Sequence, residues 1–97
     1  MPPTVTARDR ARLKARAHSL EPLVHVGHAG ATGQLVTEID RALAAHELIK
    51  VKVTAPDRDE RDAICQDIAA RTGAVAVQRV GKVVVLWRPK PDDEDPG

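Results

Sequence analysis

Three stretches of the chain space their hydrophobic residues as an amphipathic helix does. Each follows a residue that can cap a helix, Thr6, Thr32 or Asp57, and Gly73 follows the third, where a left-handed helix end is favoured. The predicted helices cover residues 7–18, 33–46 and 58–72. The side chains predicted to lie on their buried stripes are Leu13, Ala17, Leu20, Leu35, Val36, Ile39, Ala42, Leu43, Ala63, Ile64, Cys65 and Ile68.

Four shorter stretches have the pattern of β-strands. Residues 47–54 alternate between apolar and polar positions, so Lys50 and Lys52 should point away from the side that carries Ile49 and its apolar neighbours. The pair Gly81-Lys82 fits a two-residue hairpin turn of type II′, which favours glycine first. The other predicted strands cover residues 23–26, 74–80 and 83–88.

The order of the predicted elements is α-β-α-β-α-β-β, within a single domain. The fold class is therefore α/β (α+β), with a four-stranded mixed sheet and helices packed on it. Each β-α-β unit should join parallel strands by a right-handed crossover, and the final hairpin adds an antiparallel strand. We predict a flexible arm over residues 1–5, the domain over 6–89 and a disordered acidic tail over 90–97.

The net charge of +1 conceals an uneven distribution of charge along the chain. Four of the last six residues are acidic, and without them 15 basic residues stand against 10 acidic ones, which gives +5. The first 20 residues carry five basic residues and one acidic residue, Asp9. Such asymmetry suggests a polyanionic partner, although arginines that only solubilise a helix give the same composition.

The residues offer no sign of catalysis or of a metal site. Cys65 is the only cysteine, so no internal disulfide can form, and we expect it to be a small core residue. His25 and His28 straddle a strand end and a glycine, with no third ligand placed to complete a tetrahedral site. We therefore expect no enzyme, no cofactor and no metal. No stretch resembles a signal peptide or a membrane span, so a cytoplasmic monomer without membrane contact is expected.

The loop Gly27-His28-Ala29-Gly30 is the most informative local feature, since it joins a strand to the start of a helix. Its glycines allow a sharp turn and remove the side chains that would keep a phosphate away. The free N–H groups at the helix start favour an anion. An ordinary strand-to-helix turn would have the same spacing, and both interpretations stay open.

Basic side chains on the predicted sheet are equally ambiguous. Lys50 and Lys52 should project together from one strand, about 7 Å apart by strand geometry. A solvated sheet face has this pattern too, and Lys82 in the hairpin turn is ambiguous for the same reason.

Taken together, several short segments resemble the CRM domain (chloroplast RNA splicing and ribosome maturation) in its stand-alone bacterial form, the YhbY family. The matching segments are Leu20-Glu21-Pro22, Val26-Gly27-His28-Ala29-Gly30 with Thr32, residues 47–53, Thr72-Gly73-Ala74, Val80-Gly81-Lys82 and Val85-Leu86-Trp87-Arg88-Pro89. The chain departs from relatives in the loop interior, His28-Ala29, where a lysine or a Ser-Asn pair is frequent. It also has Trp87 where tyrosine is usual, and we expect this tryptophan in the core.

The resemblance implies a fold similar to the C-terminal domain of translation initiation factor 3. It also implies binding of RNA, specifically ribosomal RNA in precursors of the large ribosomal subunit, by a ribosome assembly factor. Gly27 and Gly30 correspond to the family's loop glycines, and Lys50 and Lys52 to its basic strand positions. The full set of predicted RNA-binding residues is Gly27, His28, Ala29, Gly30, Lys50, Lys52, Arg8, Arg12, Lys14, Arg16 and Lys82.

Two other functions are compatible with the pattern. A KH-type RNA-binding domain also uses a GxxG loop, although a KH loop joins two helices and here a strand precedes it. The second alternative is a protein–protein adaptor without a role in nucleic-acid binding, in which the acidic tail is the functional segment.

Overall fold

The computed structural model describes residues 5–27 and 29–89, and within them all seven predicted elements are present. Their ends agree with the predicted ends to within one residue in each case. None of the helices in these ranges is long and apolar enough to cross a membrane. The elements are α1 (Ala7–Ala17), β1 (Pro22–Val26), α2 (Gly33–His46), β2 (Leu48–Val53), α3 (Arg58–Thr72), β3 (Val75–Val80) and β4 (Val83–Trp87).

The four strands form one mixed sheet in the order β1-β2-β4-β3. β1 and β2 are parallel and are joined by α2, as a parallel pair requires a crossover connection. β4 runs antiparallel to β2 on one side and to β3 on the other. β3 therefore runs in the same direction as β2 but is separated from it by β4. The predicted fold class is confirmed.

The helices divide between the two faces of the sheet. α2 and α3 pack on one face, where Ile39 and Leu43 of α2 and Ile68 of α3 are fully buried against the sheet. α1 packs on the other face and buries Leu13 and Ala17 in a smaller cluster. The sheet residues of that smaller cluster are Leu48, Val77 and Val85, with Val5 and Trp87 packed at its margin.

The helix ends follow the predicted capping residues. The hydroxyl of Thr6 accepts a hydrogen bond from the Asp9 N–H at 3.1 Å, and Thr32 caps α2 through the Leu35 N–H at 3.2 Å. Gly73 ends α3 with φ 70°, a left-handed conformation that glycine adopts without strain. Gly81 has φ 59° at the first position of the hairpin turn, which agrees with the predicted type II′ turn.

Several predicted core positions are wrong or only partly right, among them Leu35, Val36 and Ala42 of α2, which are only partly buried. Ala63 is exposed, because the inward stripe of α3 consists of Ile64, Cys65, Ile68 and Thr72. Leu20 is 37% exposed, because α1 has ended before it and helical spacing no longer applies. Trp87 is half-buried at the margin of the α1 cluster rather than inside the core.

Candidate nucleic-acid interface

The face of the sheet that carries α1 is only partly covered. α1 packs against β2, β3 and β4 and buries Leu48 at the start of β2. Lys50 and Lys52 follow at two-residue intervals, so they project on the same side as Leu48 but beyond the buried cluster. Both lysines are partly exposed, and the strand pattern had placed them on a common face.

A groove of about 360 Å³ separates α1 from the uncovered part of the sheet. Lys14 of α1 and Lys50 of β2 line it from two different elements. The structure thus brings together two predicted binding residues that are 36 positions apart in the chain. Its other lining residues are Ala17, His18, Pro22, Gln78, Val80, Val83 and Val85. Sequence reasoning missed Gln78 and His18, because only the strand order brings Gln78 to this place and only the packing of α1 brings His18 there.

Lys52 and Lys82 both lie near the end of the sheet where β1 and β2 finish. Lys52 pairs with Val83, the first residue of β4, and the carbonyl of Lys82 accepts a hydrogen bond from the Val53 N–H at 2.6 Å. His25 lies beside Lys52 on the neighbouring strand and is exposed. His25 had been considered only as a metal ligand, and the parallel register of β1 and β2 is what places it on this face.

The glycine loop leaves the same end of the sheet and leads into α2. The Gly30 N–H donates to the Gly27 carbonyl at 3.0 Å, and the Thr32 N–H donates to the Gly30 carbonyl at 3.0 Å. Gly30 has φ 74°, a conformation that favours glycine. Ala29 is exposed, and His28, also predicted to bind, lies outside the described residues.

Gly27 differs from Gly30 because its backbone conformation is not one that favours glycine. Its φ does not lie in the left-handed region, and a methyl group there would lie 3.9 Å from the Thr54 hydroxyl oxygen, an ordinary contact. Neither the backbone nor crowding within the domain therefore calls for glycine at this position. The first N–H groups of α2, at Gly33 and its successor, lie just beyond and have no intrahelical acceptor.

The arginines of α1 lie mostly away from the loop. Arg12 and Arg16 line a separate depression with Glu47 and Trp87, near the start of β2. Six residues of β2 separate that end of the sheet from the loop, a distance of roughly 17 Å. Arg8 is exposed in the first turn of α1. The predicted residues therefore form two groups, one around Lys50 and the loop and one around Arg16.

Arg12 is the only predicted binding residue in the described part of the chain that has an acidic partner. Its guanidinium lies 2.9 Å from the Asp9 carboxylate. Hydrogen bonding with the Thr6 side chain, and then with Arg12, lowers the pKa of Asp9, so this carboxylate stays ionised beside the arginine. The charge of Arg12 is thereby partly neutralised.

The remaining basic residues separate into two classes. One class consists of arginines whose side chains bond to other parts of the fold. Arg10 donates to the Val77 carbonyl at 2.6 Å, Arg79 pairs with Asp62, and Arg88 pairs with Asp40 at 2.6 Å. The side chains of the other class make no hydrogen bond or ion pair with any described residue and are free to meet a ligand. They are Arg8, Lys14, Arg16, Arg41, Lys50, Lys52, Arg58 and Lys82.

Acidic residues are concentrated on the opposite side of the sheet. The four strands contain no aspartate or glutamate, and their basic residues on the face that carries α1 are His25, Lys50 and Lys52. α3 with its cap carries five acidic residues against three arginines. The uncovered sheet face is therefore basic, while the surface formed by α3 is acidic.

The described residues show no other centre of reactive groups. No group of three or more histidine, cysteine or acidic side chains in the ranges 5–27 and 29–89 could hold a metal ion. Burial raises the pKa of the Cys65 thiol, which lies on α3 within the core. A raised pKa disfavours the thiolate and hence nucleophilic chemistry at this residue.

Comparison with known proteins adds a family and a fold. A model of the CRS1/YhbY (CRM) domain matches residues 5–88. An RNA-binding protein of Haemophilus influenzae is 42% identical over 86 residues, which are 89% of this chain and 87% of that protein. A Pseudomonas aeruginosa protein inferred to bind RNA is 36% identical over 90 residues, 91% of this chain and 86% of that protein. The solution structure of a Staphylococcus aureus protein proposed to bind RNA matches with a TM-score of 0.80 and 25% identity, covering 95% of this chain and 96% of that one.

Proposed function

This chain belongs to the CRS1/YhbY (CRM) domain family, and from that premise we propose that it binds RNA through the uncovered, basic face of its sheet. Of two bacterial relatives of similar length, one is named an RNA-binding protein and the other is inferred to bind RNA. The observation that carries the proposal is the strand composition on this face. Lys50 and Lys52 project there without an acidic neighbour on any strand, and neither has a partner among the described residues.

The glycine loop extends this surface at the end of the sheet. Lys52 and Lys82 lie at the same end, so a phosphate at the loop would meet two ammonium groups as well as backbone N–H groups. Phosphate contacts position an RNA without reading its sequence. The loop and the two lysines therefore account for affinity, and selection among RNAs must come from other contacts.

We further propose that the RNA is ribosomal, in precursors of the large ribosomal subunit, and that the protein acts as a cytoplasmic, monomeric assembly factor. The support for this step is the resemblance of the loop and strand segments to the stand-alone bacterial members of the family. A binding role without catalysis also suits a surface whose charged groups are lysines. Sedimentation of a cell lysate through a sucrose gradient tests it, with this protein expected in the fractions of large-subunit precursors.

Binding itself is tested by the salt dependence of affinity for a structured RNA. Each phosphate contact should contribute roughly 0.7–0.9 to the slope of log affinity against log salt. The double variant Lys50→Ala/Lys52→Ala should lower the slope by about 1.4–1.8 if both lysines contact phosphates. The matched control Arg41→Ala/Arg58→Ala removes two equally free charges from the α2 and α3 side and should leave the slope nearly unchanged. A flat salt response of the parent protein contradicts the proposal.

A further inference from the structure

We propose that the groove between α1 and the sheet receives one unpaired nucleotide of the bound RNA. Its phosphate would lie at Lys14 and Lys50, and its base would lie on the valines of the hairpin, Val80 and Val83. The inference rests on the proposed function and adds to it a specific site and a class of RNA. The bound RNA should be folded but interrupted by an extruded base.

The floor of the groove is apolar although it is open to solvent. Val80 is 63% exposed, Val83 is partly exposed, and Val85 beneath them is buried. An exposed apolar surface inside a charged rim is typical of a site that a ligand covers. A nucleobase has a flat, weakly polar face, and the groove volume of about 360 Å³ is large enough for one such ring system but not for a stacked series.

The rim of the groove carries two cations that have no anion. Lys14 approaches from a helix and Lys50 from a strand, and neither contacts a carboxylate among the described residues. Two ammonium groups that line one groove repel each other, and a phosphate between them would turn this repulsion into attraction. Charge complementarity thus selects a nucleotide over a neutral or cationic ligand.

The groove also has a group that can recognise a base edge. The Gln78 amide makes no hydrogen bond with any described residue, and Gln78 is only partly exposed. An amide offers two donor hydrogens and an acceptor oxygen, so it can pair with the polar edge of a base that lies on the neighbouring valines. Gln78 stands on an edge strand and also borders a shallow depression toward α3, which Gln66 lines as well.

The geometry favours an extruded base over paired or stacked bases. In a duplex, each base face is covered by its neighbours, so only an unstacked nucleotide can place a face on the valines. Domains that bind long single strands use several aromatic side chains as stacking platforms. Here the single aromatic residue, Trp87, lies in a different depression. One bulged nucleotide in a helical RNA fits this groove better than an extended strand.

The test uses three RNA hairpins with one stem sequence: fully paired, with a one-nucleotide bulge, and with an abasic nucleotide at the bulge. The bulge is placed at three positions of the stem in parallel series. At its best position, the bulged hairpin should bind at least about fivefold more tightly than either other hairpin, a difference of about 1 kcal/mol. The abasic hairpin keeps the backbone and loses only the base, so it isolates the contact with the valines and Gln78.

Protein variants assign the effect to the groove. Gln78→Ala and Val80→Ser should remove the preference for the bulged hairpin over the abasic one, while Lys14→Ala should weaken the binding of both. Gln66→Ala, the matched control on α3, should keep the preference. Equal affinities for bulged and abasic hairpins at every position overturn the inference and leave RNA binding intact. Failure of all three hairpins to bind at low salt overturns the proposed function itself.

Discussion

Arg71 donates a hydrogen bond from Nη1 to the carbonyl oxygen of Ala31 at 2.7 Å, so the last turn of α3 holds the residue that follows the glycine loop. This hydrogen bond joins two residues that are 40 positions apart in the sequence. It fixes the loop from the side opposite to the basic sheet face. α3 does not contact the proposed RNA, but it thereby positions the backbone of the glycine loop, which does.

Arg71→Ala should therefore weaken RNA binding without removing any residue from the proposed interface. The lost hydrogen bond should lower the free energy of unfolding by roughly 0.5–1.5 kcal/mol. Asp67→Ala is the control, because it removes only the exposed 3.4 Å ion pair with Arg71 and keeps the bond to Ala31. Urea denaturation and RNA titration of both variants check the prediction. Unchanged RNA affinity of folded Arg71→Ala protein would show that the loop holds its shape without this tie.

The charge tolerated at the loop can be measured with a nearly isosteric pair, Gly30→Asn and Gly30→Asp. Both side chains meet the same strain at φ 74°, so the difference between the variants reports charge rather than backbone conformation. The aspartate variant should bind RNA at least about tenfold more weakly than the asparagine variant, or about 1.4 kcal/mol. Circular dichroism verifies the fold of both. Equal affinities would mean that the loop is only a turn.

Gly27 permits a complementary test of backbone approach. Gly27→Ala should fold at least as stably as the parent, because the added methyl group has only an ordinary contact with Thr54. It should nevertheless lower RNA affinity by about fivefold if a phosphate reaches the backbone there. His28→Ala should change affinity by no more than about twofold, because water can replace the one hydrogen bond that its imidazole supplies, which places its net contribution at roughly 0.5 kcal/mol. Thermal melting and RNA titration of both variants give the two readouts.

Removal of residues 90–97 should leave the melting temperature nearly unchanged. These residues lie outside the described part of the chain, and the family match ends at residue 88. Four of them are acidic, so their removal should tighten RNA binding modestly by removing repulsion. Calorimetry and RNA titration at low salt measure the two effects. A large fall in melting temperature would indicate that the tail contributes to the folded domain.

Arg88 should be one of the charged residues on which stability depends most. Its guanidinium donates to the Asp40 carboxylate at 2.6 Å and to the Thr72 carbonyl at 2.8 Å, so it joins the end of β4 to α2 and α3. Arg88→Ala should lower the free energy of unfolding by roughly 1.5–3 kcal/mol. Asp40→Asn keeps the bond to Thr72 and should cost less than half as much. Comparable losses in both variants would place the stabilisation in the ion pair alone.

Local signals along the chain were sufficient to predict the elements. Thr6, Thr32 and Asp57 each act within one helical turn, and Gly73 and Gly81 act within a single residue, so their effect does not depend on the rest of the fold. The alternation through β2 likewise predicted that Lys50 and Lys52 share a face.

Strand order and the site geometry depend on distant partners and could not be predicted in this way. The position of β4 between β2 and β3 brings Val83 beside Lys52, and only the packing of α1 brings Lys14 to Lys50. The same packing turns Arg16 toward the other end of the sheet, so the predicted binding residues of α1 lie in two separate places. The partial burial of Trp87 could not be predicted either, because a single aromatic residue in a sequence indicates that its side chain packs but not how deeply it is buried.

The place of β4 between β2 and β3 also determines when the domain can fold. β4 is the last strand to be synthesised, yet both of its neighbours hydrogen-bond to it. Until Trp87 is available, the unit from β1 to β2 keeps an open edge at β2, and β3 has no neighbour in the sheet. Non-local strand pairing of this kind is slow, because the intervening chain must first be ordered. The sheet is thus completed only after nearly the whole domain has been translated.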